Sequence, residues 1–269
     1  KTQHRILDSE IRSMDNRGVG LEGKAKETFN KRSELLAELS NKFSNNVLDS
    51  TKDWSLLLTK KHEVEGLPNR ALETLAAAAK EAGDRNQTEN TAPSAEKGPW
   101  RVGLDMPRYI PFITFAKNRS LRETIFRAHV SRASKGEFNN KGLIEEILDL
   151  RNQQAKQLGF SNWAEISLSN KMAKNEQAVE KLLEELRFAA MPYAKKELKA
   201  IEECAKKHGS PESSNIAPWD IPYWSEILKK ELYEIDQEKL RPWFPLEKVL
   251  DGLFHLCQRL FNITIEAAD

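Results

Sequence analysis

The chain has 269 residues, with 42 Lys plus Arg against 41 Asp plus Glu and a formal net charge of +1. Charged residues reach 31%, above the usual share of about 25%. The signs cancel, which argues against the Lys/Arg excess that nucleic-acid or polybasic membrane-surface proteins need. No apolar run approaches the ~18 residues of a membrane span.

With 12 Gly and 11 Pro there are few chain breakers, and long helices are expected. The opening pattern is helical until Gly18, Gly20 and Gly23 break it. Apolar residues then recur at Phe29, Leu36, Leu39, Phe43, Val47, Trp54 and Leu57, spacing that predicts one helical stripe. Roughly thirty-five residues at this rise make a rod of about 50 Å, with Gly66 ending the unit. Pro68 suits the first turn of a second helix, Arg70–Ala82, ended by Gly83. Residues 84–98 are polar and rich in turn formers, so they read as a loop. Trp100-Arg101-Val102-Gly103-Leu104-Asp105 alternates as a short strand, and Pro107 and Pro111 bound a turn and a helix start.

Helices are predicted near 119–134 and 141–158, the latter stopped by Gly159. A long amphipathic helix follows over 176–208, with Pro192 inside it as a predicted kink. After a loop at 209–217, Trp219–Leu232 reads as helix. Pro245 opens a last helix with Leu246, Val249, Leu250, Leu253, Cys257 and Leu260 on one side. The fold class is mainly α, with one short strand or hairpin and no repeat of solenoid length. The chain opens on Lys1 in a helical pattern and ends at Ala268-Asp269 after the β-leaning run Ile263-Thr264-Ile265, as an excised segment would.

Candidate chemistry is sparse. Gly18-Val19-Gly20-Leu21-Glu22-Gly23 matches G-x-G-x-x-G, but a dinucleotide site needs a buried strand before it. The preceding residues are charged and helix-like, so a glycine break between helices is expected. His62-Glu63 begins like H-E-x-x-H, but Gly66 stands where the second imidazole must be, and one histidine cannot hold zinc. Cys204 and His208 share a helix face, while His255 and Cys257 diverge; a zinc site would need all four to converge. The two cysteines are too few for a disulfide scaffold and fit a reducing compartment. There the Asn-x-Ser/Thr triplets at Asn86, Asn118 and Asn262 would carry no glycan. Trp219-Asp220-Ile221-Pro222-Tyr223-Trp224 clusters three aromatics with a carboxylate; it could line a groove, but helix packing is the expected role. No Ser/His/Asp set or phosphate loop can be assembled.

Several runs carry a family resemblance: Leu39-Ser40-Asn41-Lys42-Phe43-Ser44-Asn45-Asn46-Val47-Leu48-Asp49, Gly98-Pro99-Trp100 through Asp105, Leu158-Gly159-Phe160 and Lys171-Met172-Ala173. Trp219-Asp220 with Tyr223-Trp224-Ser225-Glu226, Leu240-Arg241-Pro242-Trp243-Phe244-Pro245, Gly252-Leu253-Phe254 and Ile263-Thr264 continue it. In this order they resemble the thimet oligopeptidase/oligopeptidase A family of zinc metallopeptidases, nearest the oligopeptidase A branch of bacteria and plant organelles. The resemblance implies a neurolysin-like helical frame around a deep, narrow channel. Zinc would sit on its floor, held by an H-E-x-x-H helix and a later Glu, with the motif's own Glu activating the metal-bound water.

That motif would lie C-terminal to the residues matched here, so no catalytic, cofactor-binding or metal residue is carried over. The resemblance implies a parent that hydrolyses short unfolded peptides, with this chain as scaffold and channel wall, inactive alone and binding no catalytic zinc. Segments 1–97 and 98–269 would be parts of one larger body, not independent domains. Implied partners are peptide substrates and the missing C-terminal catalytic part, with no nucleic acid or membrane, and a monomer at full length. The expected location is the cytoplasm, alternatively the mitochondrial matrix or plastid stroma. The rival expectation is a non-catalytic α-helical interaction module. Either way, some apolar stripes should stand exposed.

Overall fold

The computed structural model describes residues 2–86, 90–234 and 240–266. The sequence ends, Lys1 and Ala268-Asp269, and the middle of the loop at 84–98 lie outside them.

The fold is mainly α. Helix α1 (Thr2–Asn16) leads through the glycine break into α2 (Gly23–Asp53). Strand β1 (Ser55–Leu58) follows α2 directly and pairs antiparallel with β2 (Trp100–Gly103), Ser55 opposite Gly103 and Leu58 opposite Trp100. The single predicted rod therefore ends four residues before Leu57. Trp54 and Leu57 continue the stripe of α2 in spacing, but strand pairing outweighs the helical preference of three leucines, and Leu58 enters the core. Lys61–Glu63 is a 3-10 turn, not the end of a long helix.

Helix α3 (Asn69–Glu81) lies beside β2, and α4 (Met106–Phe115) closes over both. Pro107 and Pro111 do not bound a turn: Pro107 sits in the first turn of α4 and Pro111 inside it. Ahead of Pro111 only the first-turn carbonyls lose a partner, a milder loss than in mid-helix. Helix α5 is Arg119–Val130, shorter than predicted and capped by Asn118, whose side chain accepts from the Leu121 amide at 3.2 Å. The main core fills the space between β1, β2, α3, α4 and α5. It includes Leu58, Leu75, Trp100, Val102, Phe112 and Ile125.

Helix α6 (Lys141–Gln157) packs along α2 over Leu39, Ile147 and Leu150. Buried polar groups pin the register. Asn140 donates to the Phe43 carbonyl at 3.0 Å and accepts from Asn46 at 2.8 Å, and Gln154 donates to Ser33 Oγ at 2.7 Å. Helix α7 (Trp163–Ser169) has no counterpart among the predicted elements. Its signal is a local box, in which Asn162 accepts from the Glu165 amide at 3.1 Å and Glu165 accepts from the Ser161 amide at 2.7 Å.

Helix α8 (Glu176–Lys207) carries on past Pro192, and only Ile201, Cys204 and Ala205 are buried along it. These three pack against Trp224 of α9 (Ile221–Tyr233). After Pro245, α10 (Leu246–Phe261) buries none of its residues. Ile263-Thr264-Ile265 forms no strand; the only ladder among the described residues is β1–β2.

Candidate functional site

The glycine motif is an elbow. The residues before it are α1, not a strand. Gly18 has φ +72, and a β-carbon there would lie 2.9 Å from the Phe29 ring. Lys26 Nζ donates to the Gly18 carbonyl at 2.6 Å. His62-Glu63 is equally local. Glu63 turns its carboxylate onto the backbone amides of Thr59 and Lys60, at 3.0 and 2.8 Å. It caps a turn through Oε2, and Gly66 leaves it no second imidazole to complete a zinc site.

The Trp219–Trp224 cluster is a packing hub built around a buried charge. Asp220 is 0% exposed and Arg122 1%. Arg122 donates to Asp220 at 2.9 Å, to the Ala116 carbonyl at 2.8 Å and to the Lys117 and Trp219 carbonyls at 3.2 Å. Arg119 adds a donor at 2.8 Å and the Ala217 amide one at 3.1 Å. Burial alone would push the Asp220 carboxyl up, but its hydrogen bonds from Arg119 and Arg122 hold it below the ordinary carboxylate range. The aromatics complete the knot: Arg127 lies 4.8 Å over the Trp219 ring and Arg122 4.2 Å over Tyr223. The charged groups are all paired within the protein, while the indole nitrogens of Trp219 and Trp224 are buried without a hydrogen-bond partner, so the role of the knot is to lock α5 to the entry of α9.

Beside the knot, α3, α4 and α9 enclose an open groove of about 750 Å³. Pro68, Ile110, Pro111 and Phe115 form its apolar wall, and Glu226 and Lys230 reach it from α9. Glu226 is neutralised by Lys229 at 2.9 Å. No nucleophile with an adjacent base faces this space.

Of the four thiol and imidazole residues, Cys204 and His208 stay together, but His255 and Cys257 do not join them. His255 Nδ1 turns to the Asp251 carbonyl of its own helix, 2.8 Å away. The third member is Glu231 of α9, whose ligand atom and those of Cys204 and His208 all lie within 4.8 Å of one another. Its approach depends on how α9 packs on α8, which sequence spacing does not reveal. Burial pushes the Cys204 thiol up, and the Glu231 carboxylate adds to the rise. Of the triplet asparagines, Asn118 is a helix cap and Asn262 ends α10 with φ 52. Asn86 donates to the Lys97 carbonyl at 3.1 Å, and the rest of its triplet lies outside the described residues.

The largest unfinished feature is apolar. Along α8, Leu182, Leu183, Leu186 and Phe188 are exposed, the last by 80%. Trp243 and Phe244 before α10, and Leu253, Leu256, Leu260 and Phe261 within it, are exposed as well. No helix among the described residues is long and apolar enough to cross a membrane. These faces are amphipathic stripes left exposed among the described residues.

A match to Peptidase family M3 covers residues 112–269. The chain belongs to that family. Family M3 relatives extend the likeness to the N-terminal segment as well. The chain is 45% identical over its whole length to the chloroplastic/mitochondrial organellar oligopeptidase A of Arabidopsis thaliana, covering 33% of that protein. It is 43% identical, again over its whole length, to the probable cytosolic oligopeptidase A of the same plant, covering 37% of it. Over 97% of the chain it is 38% identical to oligopeptidase A of Escherichia coli (strain K12), covering 37% of that protein. The chain thus spans about a third of the length of these M3 relatives. The M3 match and the identities to the oligopeptidase A relatives bear out the resemblance carried by the runs from Leu39 to Thr264, and the structure bears out the mainly helical expectation.

Proposed function

We propose that this chain is the helical frame of a zinc-dependent oligopeptidase that hydrolyses short unfolded peptides, and that it forms wall and gate of the peptide channel. The observation that carries the reading is the pair of bare apolar faces, on the first half of α8 and on α10, in a chain spanning a third of its oligopeptidase A relatives. Each exposed face buried against a further part of the same protein would contribute about 25 cal/mol per Å² of apolar area. Segments 1–97 and 98–269 then act as one body, supported by the pairing of β1 with β2 and of α2 with α6.

The catalytic zinc implied by the family finds no H-E-x-x-H pair among the described residues. His62-Glu63 lies in a 3-10 turn with its carboxylate spent on backbone amides, so no step of peptide hydrolysis is assigned to this chain. Its contribution is steric: a wall of rigid helices beside a narrow slot admits an extended peptide and rejects a folded domain. Cytosolic and organellar sites both suit it, since oligopeptidase A relatives of each kind are similar to it.

Reading the transcript beyond Asp269 tests the proposal cheaply. An H-E-x-x-H helix downstream supports the peptidase. A stop codon directly after Asp269 favours a non-catalytic helical interaction module instead. A second test adds zinc to the purified chain with a quenched peptide substrate: no turnover is expected, and metal-dependent turnover would overturn the assignment.

A further inference from the structure

We infer that Cys204, His208 and Glu231 form a binding site for a divalent ion of the zinc class. The three ligand atoms, one thiol, one imidazole nitrogen and one carboxylate oxygen, lie within 4.8 Å of one another. Cys204 in the last turn of α8 and His208, the residue that caps it, are four apart, so both project from one face. Glu231 is delivered by α9, which packs on that same face through Ile201, Cys204, Ala205 and Trp224. Glu231 Oε1 already lies 2.6 Å from His208 Nε2.

The dimensions suit the ion. Zinc bonds of about 2.0–2.3 Å to nitrogen, oxygen and sulfur give a tetrahedron with edges of roughly 3.3–3.8 Å. The ligand atoms therefore need to move by about an ångström. His208 and Glu231 end in exposed side chains that can make this adjustment while Cys204 stays fixed in the core. The donor set of thiolate, imidazole and carboxylate selects a borderline-soft cation over magnesium or calcium, which prefer all-oxygen shells.

Lys207 is the opposing charge. It donates to Glu231 at 2.9 Å, but through the other carboxylate oxygen, Oε2. Oε1 is the atom shared with His208, so the ion and Lys207 can hold the carboxylate from opposite sides. Trp224, whose ring lies 5.8 Å from that of His208, shields one flank. Three protein ligands leave a fourth position for water. Occupancy would tie the end of α8 to α9, the element anchored by Asp220 to the main core.

Cobalt(II) titration of the purified 269-residue chain tests this, followed by displacement with zinc. A 1:1 complex is expected, with a thiolate-to-cobalt charge-transfer band in the near ultraviolet that zinc removes and Cys204→Ser abolishes. Because Cys204 is buried and its replacement could disturb folding, the exposed ligands provide the second arm. His208→Gln and Glu231→Gln should each weaken zinc binding on the order of tenfold or more with the circular dichroism unchanged, while His255→Gln behaves like the parent chain. Absence of the band, or zinc affinity indifferent to His208→Gln and Glu231→Gln, would overturn the site.

Discussion

Replacing Asp220 by Ala is the sharpest probe of how this frame is held together. The carboxylate is 0% exposed and faces Arg122, which is 1% exposed. Without it, the Arg122 guanidinium keeps its donors to the Ala116, Lys117 and Trp219 carbonyls, but its buried charge is left with only the more distant Glu212 carboxylate, 4.0 Å away. Breaking such a pair costs about 3–5 kcal/mol. For a protein of this size that corresponds to a drop in Tm of roughly 6–20 °C. Urea unfolding followed by circular dichroism measures the loss directly. The cause is separable from lost packing by removing both charges. Asp220→Leu combined with Arg122→Met should recover part of the stability, because a buried pair replaced by apolar residues is often neutral, while the Ala116, Lys117 and Trp219 carbonyls lose the guanidinium donors. Arg119 tolerates the change, since its side chain stays 37% exposed. A loss below about 1 kcal/mol for Asp220→Ala, or a double variant as unstable as the single one, would refute the claim that a buried charge pair locks α5 to α9.

The same pair sets a pH dependence. The Asp220 carboxyl is held below its unfolded value of about 3.9 by Arg119 and Arg122, against the opposing effect of burial. Its stabilisation is therefore complete above about pH 4 and drains away as pH falls through the lower folded value. Acid titration of stability should be shallower in Asp220→Asn than in the parent chain. Gly66→Ala should cost about 2 kcal/mol or more in urea unfolding, because Gly66 has φ +94 and a β-carbon would lie 2.3 Å from the Phe115 carbonyl oxygen. Gly20→Ala, where a β-carbon meets nothing within 4 Å, is its neutral control. Leu253→Glu with Leu260→Glu should change chain stability by no more than about 0.5 kcal/mol, as both side chains are exposed in α10. Dynamic light scattering should nevertheless show less self-association than in the parent chain.

What could be read from sequence followed from where the determinants are local. The stripes of α2, α3, α6 and α8 repeat over many turns, and their positions are close to those predicted. The alternation at Trp100–Gly103 also held, because Val102 and Trp100 face the core while Arg101 turns out to Asp84, bonded twice at 2.7 Å. Strand β1 was missed because Leu56 and Leu57 keep helical spacing with α2. Only the partner strand, more than forty residues away, decides between the two states. Helix α7 is short, and its Asn162–Glu165 box outweighs its weak periodicity. The Cys204–His208 half of the cation cluster is visible as an i, i+4 pair, whereas Glu231 joins it through tertiary packing. His255 and Cys257 stay apart from the Cys204–His208 face, in line with their divergent spacing, because α10 buries none of its residues. The bare faces of α8 and α10 agree with the exposed apolar stripes expected from the family resemblance.

The most direct measurement is a complementation assay with a quenched peptide substrate and zinc. It compares this chain, the C-terminal catalytic part that the proposed function requires, and the two together. Turnover is predicted only in the mixture, accompanied by loss of solvent exposure at Phe188, Trp243 and Leu260 in hydrogen exchange or footprinting. Zinc-dependent turnover by this chain alone, or an inert mixture of two folded parts with those faces still open, would contradict the account.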